Sequence, residues 1–144
     1  MQKNAEVLEY SFKIYPRKMW VSDGIEGLDE LFTFLSLRDN NTEAKDAYDN
    51  LIKYKENDDC IVCVMPVLRK DNLKYGALVV IMNKKDVTTS VIAHESVHVA
   101  DYICEQLGIY SQGFSDGNEA YAYLVGYVAD CISDSIKDFK KKKI

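Results

Sequence analysis

Two apolar runs separated by a short polar segment constrain the fold of this 144-residue chain more than any other feature. "CIVCVMPVL" (60–68) and "YGALVVIMN" (75–83) each have the length of one strand, and "RKDN" begins the polar segment between them. We therefore expect a β-hairpin. Pro66 has no amide hydrogen to donate, which favours the first strand as an edge of the sheet. Because helical patterns flank the hairpin on both sides, the predicted fold class is α+β.

The segments before the hairpin show one strand pattern and two helix patterns. "EVLEYSFKIYP" (6–16) reads as a strand closed by a proline. "SDGIEGLDELFTFLSL" (22–37) and "NTEAKDAYDNLIKYKEN" (41–57) carry apolar residues at helical spacing, so we expect a helix over each. The opposite face of the second helix is charged, which is typical of an outer helix.

Two further helices are expected after the hairpin. The first is long and ends at Gly108, a typical C-terminal residue. Its N-cap is one of three polar residues: Asp86, Thr88 or Thr89. A loop, "IYSQGFSDGN", follows, and the last helix begins near Asp116 or Asn118 and runs to about Phe139.

The composition indicates a single domain covering residues 1–144. At 47% hydrophobic residues, a chain of this length can build one core of its own. The lysine-rich end, about 140–144, is predicted to be a disordered tail. The net charge of −5 gives no electrostatic support for a nucleic-acid partner.

No segment indicates export or membrane insertion, so we expect a cytoplasmic protein without a membrane partner. The N-terminal residues alternate polar and apolar, and no apolar run has the length of a bilayer span. The four cysteines are then expected to be reduced. Cys60 and Cys63 form a C-x-x-C inside the first apolar run. In a strand their side chains would face opposite sides, which predicts core residues rather than ligands of one metal.

Both histidines of the chain lie four positions apart in "VIAHESVHVADY" (91–102). Four residues of helix advance about 400° and about 6 Å, so His94 and His98 share one face at a spacing that suits one metal ion. Glu95 lies about 100° round from His94, where its carboxylate can reach a water without binding the metal. This H-E-x-x-H pattern predicts a zinc site with two histidine ligands and a glutamate general base.

A catalytic zinc requires a third protein ligand. Glu105 is too far along the helix, and Cys104 would qualify only if the helix turned back at position 101, which holds Asp101 rather than glycine. Glu119 opens the next helix after a loop long enough to reverse direction, so it is the predicted ligand, with Asp116 as the alternative. D-x-x-E also reads as a capping box, which would give Glu119 a purely structural role.

The H-E-x-x-H motif followed by N-E-A, with Glu119 twenty-one residues after His98, resembles the gluzincin metallopeptidases, the thermolysin-like group. "EAYAYLV" is also similar to a stretch of the compact ImmA/IrrE-type metallopeptidases. The resemblance implies zinc ligands at His94, His98 and Glu119, with Glu95 as the base. It also implies a minimal zincin fold, in which a small, mostly antiparallel sheet packs on the H-E-x-x-H helix and on a C-terminal helix bearing the glutamate.

The chain departs from the thermolysin-like pattern at two points. Tyr123 stands where those enzymes usually carry an aspartate that orients the first histidine. Asp101 could instead act as a hydrogen-bond partner of a histidine ligand, and His98 is the expected one. No histidine remains to stabilise an oxyanion, so a tyrosine is the candidate. The candidates are Tyr110, Tyr121 and Tyr123.

These features predict a zinc-dependent metallopeptidase that hydrolyses peptide bonds. An extended peptide would add as a strand to the sheet edge expected at 60–67. The alternative is a zinc-stabilised interaction or regulatory module with little or no turnover. The lack of an obvious oxyanion stabiliser favours this alternative, whereas Glu95 opposes it, because a structural site needs no base.

Overall fold

The chain folds as an α+β structure in a computed structural model that describes residues 3–36 and 42–142. One mixed sheet of six strands has the order β1-β2-β6-β5-β3-β4. The strands are β1 (Glu6–Ser11), β2 (Lys18–Asp23), β3 (Phe32–Ser36), β4 (Thr42–Glu43), β5 (Val62–Arg69) and β6 (Tyr75–Ile81). The α-helices are α1 (Leu28–Leu31), α2 (Ala47–Asn57), α3 (Thr89–Leu107) and α4 (Glu119–Lys141).

One of the two central strands of the sheet, β6, pairs with a parallel strand on one side and an antiparallel strand on the other. It runs antiparallel to β5, with Val62 opposite Ile81, which confirms the predicted hairpin. It runs parallel to β2, with Lys18 opposite Gly76. The other pairings are antiparallel.

Helices cover both faces of β6, which explains why its sequence is continuously apolar instead of alternating. Ala77, Val79 and Ile81 pack on one face in a core shared with α3 and α4. Leu78 and Val80 pack on the other face in a core shared with α1 and α2. The long helix α3 is therefore fixed directly on the sheet, and its outer face remains exposed.

The predicted helix over 22–37 is wrong. Within residues 22–36 only α1, one turn long, is helical, and the chain then continues as β3. Residue 37 lies outside the described residues. Phe32 and Phe34 pair with β5, and the Phe32 ring packs against Trp20 with 5.1 Å between ring centroids. The apolar residues of this segment are spaced as in a helix, but pairing with β5 and aromatic packing stabilise a strand instead. The second strand, β2, has no counterpart in the sequence-based prediction.

The boundaries of the other predicted elements hold in part. The strand predicted over 6–16 ends at Ser11, and the helix predicted over 41–57 begins only at Ala47, after the short strand β4. Residue 41 lies outside the described residues. Thr88 caps α3 by accepting a hydrogen bond from the Val91 amide, and Gly108 ends it with a φ of 69°, as two of the predicted signals indicate.

The last helix ends later than predicted. It ends at Lys141 instead of about Phe139, so the start of the predicted disordered tail is helical. Lys142 forms ion pairs with Glu6 and Asp138, and cations are favourable at a helix C-terminus. Residues 143 and 144 lie outside the described residues. In the part of the chain that is described, none of the helices combines the length and the apolarity needed to cross a bilayer.

The first hairpin strand, β5, is not an outer strand of the sheet, which corrects the prediction for 60–67. It lies between β6 and β3. However, β3 pairs only with Val67, Leu68 and Arg69, and then turns away to pair with β4. Within the described residues, Val62–Pro66 is therefore paired on one side only. We call Val62–Pro66 the open stretch of β5.

Candidate metal centre

The two histidines converge on the exposed face of α3. Their Nε2 atoms lie 3.1 Å apart, and the ring centroids lie 4.8 Å apart with the ring planes at 72°. Two nitrogens at about 2.0–2.1 Å from one tetrahedral zinc ion would be separated by about 3.3–3.4 Å. The two imidazoles therefore fit two positions of one zinc ion after a small adjustment of their side chains.

Glu95 follows His94 in the sequence but lies in a different environment. Its side chain is 14% exposed, against 67% for His94, and its Oε1 lies 3.9 Å from His94 Nε2. Burial raises the pKa of the Glu95 carboxyl, and His98 and His94 oppose that shift. Glu95, His94, Cys60 and Val62 help to line a cavity of about 350 Å³. The carboxyl thus lies between α3 and the start of β5.

Cys60 and Cys63 do not face opposite sides of a strand, because β5 begins only at Val62. Cys60 lies before the strand, and its thiol donates to the Val62 carbonyl at 3.1 Å. Burial raises the pKa of the Cys63 thiol to about 12, and Cys60 and Glu95 act in the same direction. Both thiols therefore lie close to Glu95. Cys63 packs against the core, as expected, whereas Cys60 lines the cavity beside Glu95.

Tyr102 is a further residue of this region that the sequence-based reasoning missed. It is half-buried, and burial, Cys63 and Glu95 all raise the pKa of its phenol. With Cys63 and Pro66 it helps to line a second cavity, of about 460 Å³, beside the open stretch of β5. Its position seven residues after Glu95, two helical turns along the same face, is the signal that identifies it.

Asp101 has a different partner from the one predicted. Its Oδ1 accepts a hydrogen bond of 2.6 Å from the Tyr121 hydroxyl, which joins α3 to α4. Within the described residues, no hydrogen bond joins Asp101 to His98. Burial first, and then Asp101, raise the pKa of the Tyr121 phenol. The Tyr121 hydroxyl is therefore already engaged in the arrangement seen here.

The other two tyrosine candidates are largely exposed. Tyr110, 92% exposed, lines a cavity of about 280 Å³ with Asp101 and Tyr121. Tyr123, 77% exposed, helps to line an apolar groove of about 430 Å³ beside Phe12, on another side of α4 from Tyr121. The structure therefore places Tyr110 near Asp101 and Tyr123 apart from it.

Glu119 is the first residue of α4 and is exposed. The alternative capping box with Asp116 does not form, because Asn118 is the N-cap and Asp116 belongs to a 3₁₀ turn before it. Among residues 3–36 and 42–142, no three His, Cys, Asp or Glu side chains converge as a metal-binding group. The structure thus brings His94 and His98 together with Glu95 beside them, and Glu119 stays a predicted ligand.

Comparisons of the chain with protein-family models, curated protein sequences and solved structures give no match.

Proposed function

We propose that this chain is a zinc-dependent metallopeptidase with a minimal zincin-like arrangement. The observation that carries the proposal is the 3.1 Å separation of the His94 and His98 Nε2 atoms, with the sheltered Glu95 carboxyl beside them. His94 and His98 would hold the ion, and Glu119 is the proposed third ligand. The donor set is suited to zinc, which takes imidazole nitrogen and carboxylate oxygen.

Glu95 is the proposed general base. When bound, zinc supplies Lewis-acid polarisation of the peptide carbonyl and makes water ionise near neutral pH. The Glu95 carboxylate accepts the proton released by the attacking water and returns it to the leaving amine. Its side chain is 14% exposed, which places the carboxylate against the start of β5 rather than in open solvent.

The open stretch of β5 is the proposed binding site for the peptide backbone. A peptide that pairs with Val62–Pro66 would continue the line of β3 and run antiparallel to β5. The cavity lined by His94 and Glu95 includes Val62, so a peptide bound there passes close to the base. The proposed substrate is therefore an extended peptide or protein segment in the cytoplasm, not a nucleic acid or a membrane.

A zinc-stabilised interaction module is the second candidate function. It is favoured by one observation, that none of the three tyrosine candidates is free and sheltered beside the histidine pair: Tyr121 is bonded to Asp101, and Tyr110 and Tyr123 are largely exposed. Such a module would bind zinc and a peptide without turnover. Hydrolysis is therefore the property that separates the two candidates.

The test combines metal content with peptide hydrolysis. The purified protein is loaded with zinc, dialysed, and measured for zinc per chain and for cleavage of a broad peptide library. The metallopeptidase proposal expects about one zinc per chain and cleavage that Glu95→Gln abolishes. Zinc binding without cleavage would favour the interaction module, and the absence of zinc binding would exclude both.

A further inference from the structure

The first turn of α4 is joined to α3 through one side chain. Of residues 119–123, Tyr121 is partly buried and the other four are exposed. The Tyr121 hydroxyl donates to Asp101, and Leu124 is the first buried residue of the helix. Within the described residues, no other side-chain hydrogen bond or ion pair links this turn to α3. The Tyr121 ring also packs against the core shared by α3 and α4, so the first turn is positioned on α3 mainly through this one side chain.

The start of α4 has few other restraints. Gly117 and Asn118 have positive φ angles of 82° and 47°. The Asn118 side chain accepts from the Gln112 amide instead of capping the helix, which leaves the first turn without a side-chain cap. Uncapped helix ends fray readily, because their first amides lack partners. Glu119 precedes Tyr121 and is exposed, so it can shift while Leu124 stays in the core.

We infer that the Tyr121–Asp101 bond positions the first turn of α4 and holds Glu119 away from the histidine pair. Asp101 lies three residues after His98, about one helical turn further from the pair. The bond to Asp101 keeps Tyr121, and with it the first turn of α4, beside Asp101 on α3. In the described residues, Glu119 does not form a group of three metal-binding side chains with the two histidines. Tyr121 is a positioning residue, which acts on the metal site through Glu119. The inference rests on the proposed function, since it assumes that this site binds zinc.

The expected effect on zinc affinity follows from the strength of one hydrogen bond. A single exposed hydrogen bond shifts an equilibrium between two arrangements by about 3–10-fold. The affinity of a site is reduced by the fraction of molecules in the competent arrangement. Breaking the Tyr121–Asp101 bond is therefore expected to tighten zinc binding by about 3–10-fold.

The experiment measures zinc affinity by competition with a chromogenic chelator. Tyr121→Phe and Asp101→Ala are each expected to tighten binding, and the double variant is expected to tighten it no further. Asp101→Asn keeps an acceptor for the hydroxyl and should have a smaller effect. Tyr123→Phe removes a hydroxyl from the same turn at an exposed position and serves as the matched control, with unchanged affinity.

Two further measurements test the route through Glu119. Tyr121→Phe should not tighten binding when Glu119 is already changed to Gln. Hydrogen exchange at residues 119–123 of the metal-free protein should be faster in Tyr121→Phe than in the wild type. If Tyr121→Phe fails to fold, Asp101→Ala provides the same test at an exposed residue.

The outcomes separate this inference from the proposed function. Zinc binding that depends on both histidines but is equal or weaker in Tyr121→Phe and Asp101→Ala would overturn the inference alone. Tightening that persists with Glu119→Gln would also overturn it. A wild-type protein that binds no zinc would overturn both the inference and the proposed function.

Discussion

His94 and Glu95 are neighbours in the sequence, but the His94 side chain is 67% exposed and that of Glu95 is 14% exposed. This contrast follows from the helix, because successive residues are rotated by about 100°. It places a potential ligand in solvent and a potential base against β5. The two residues can therefore be changed separately, and their variants report different functions.

Glu95→Gln is expected to abolish peptide hydrolysis while zinc content and folding stay intact. The substitution keeps the size of the side chain and removes the group that accepts the proton, which typically contributes about 10²–10⁴-fold to the rate. Initial rates of peptide cleavage, zinc content and thermal unfolding would be measured on the same preparation. Cleavage at the wild-type rate would exclude Glu95 as the base.

Replacing His94 and His98 together with alanine is expected to remove stoichiometric zinc, and each single variant should bind zinc much more weakly. Each single variant removes one of the three proposed protein ligands of the zinc ion. Both residues are exposed, so the melting temperature of the metal-free protein should stay close to that of the wild type. Glu105→Gln, at an exposed carboxylate further along α3, is the control. Zinc that remains stoichiometric in the double variant would place the metal elsewhere.

Glu119→Gln is expected to weaken zinc binding strongly. Loss of a residue that only hydrogen-bonds to a metal ligand costs about 10–100-fold in affinity, and loss of the ligand Glu119 should cost more. An anionic oxygen is lost from a divalent ion, whereas the size of the side chain is kept. Asp116→Asn, three residues earlier, should leave the affinity unchanged. Titration of zinc into both variants decides between the two acidic residues. Equal affinity for Glu119→Gln and the wild type would remove Glu119 from the site.

Gly76→Ala is expected to destabilise the protein by about 2 kcal/mol or more, because overpacking at a rigid site forces the backbone to shift. A Cβ at Gly76 would lie 1.8 Å from the Lys18 carbonyl oxygen on the neighbouring strand β2. Gly126→Ala is the matched control. A Cβ there meets no atom within 4 Å, and alanine is favoured over glycine in a helix by up to about 1 kcal/mol. Urea unfolding of both variants measures the difference, and equal stability would contradict the close approach of β2 and β6.

Alkylation of Cys63 by iodoacetamide is expected to be far slower in the native protein than in urea. Only the thiolate reacts, and below the pKa its fraction falls tenfold for each pH unit. With the pKa at about 12, the Cys63 thiol is almost entirely protonated at pH 8, and its reaction should accelerate as the pH rises. Mass spectrometry of tryptic peptides would give the rate for each cysteine. Native and unfolded rates of similar size would show that Cys63 is not sheltered.

Local signals explain which features could be predicted from the sequence. Thr88 and Gly108 provide the caps of α3, and the geometry of one helix sets the spacing of His94 and His98. The hairpin of β5 and β6 was predictable for the same reason, since its strands adjoin one turn. Each of these features depends on residues that are close together in the chain.

Features that depend on distant residues were not predictable. β3 has apolar residues at helical spacing but forms a strand because it pairs with β5. The conformation of β2 depends on its pairing with β6, far along the chain. The environment of Cys60 depends on where β5 begins, and it begins two residues later than the predicted strand. The Tyr121–Asp101 bond depends on how two helices pack. In each case tertiary contacts decide the outcome.

The parallel pairing of β2 with β6 has a consequence for how the molecule assembles. The hairpin of β5 and β6 can form early, since its strands are adjacent, but β2 can join β6 only after the intervening chain has closed into a long loop. Such long-range closure is the step that slows folding in sheet proteins. The sheet surface under α3 includes residues of β2 and β6, namely Met19, Val21, Ala77 and Val79. During synthesis, the histidine-bearing helix emerges after all of these strands, so it can dock as soon as that closure is complete.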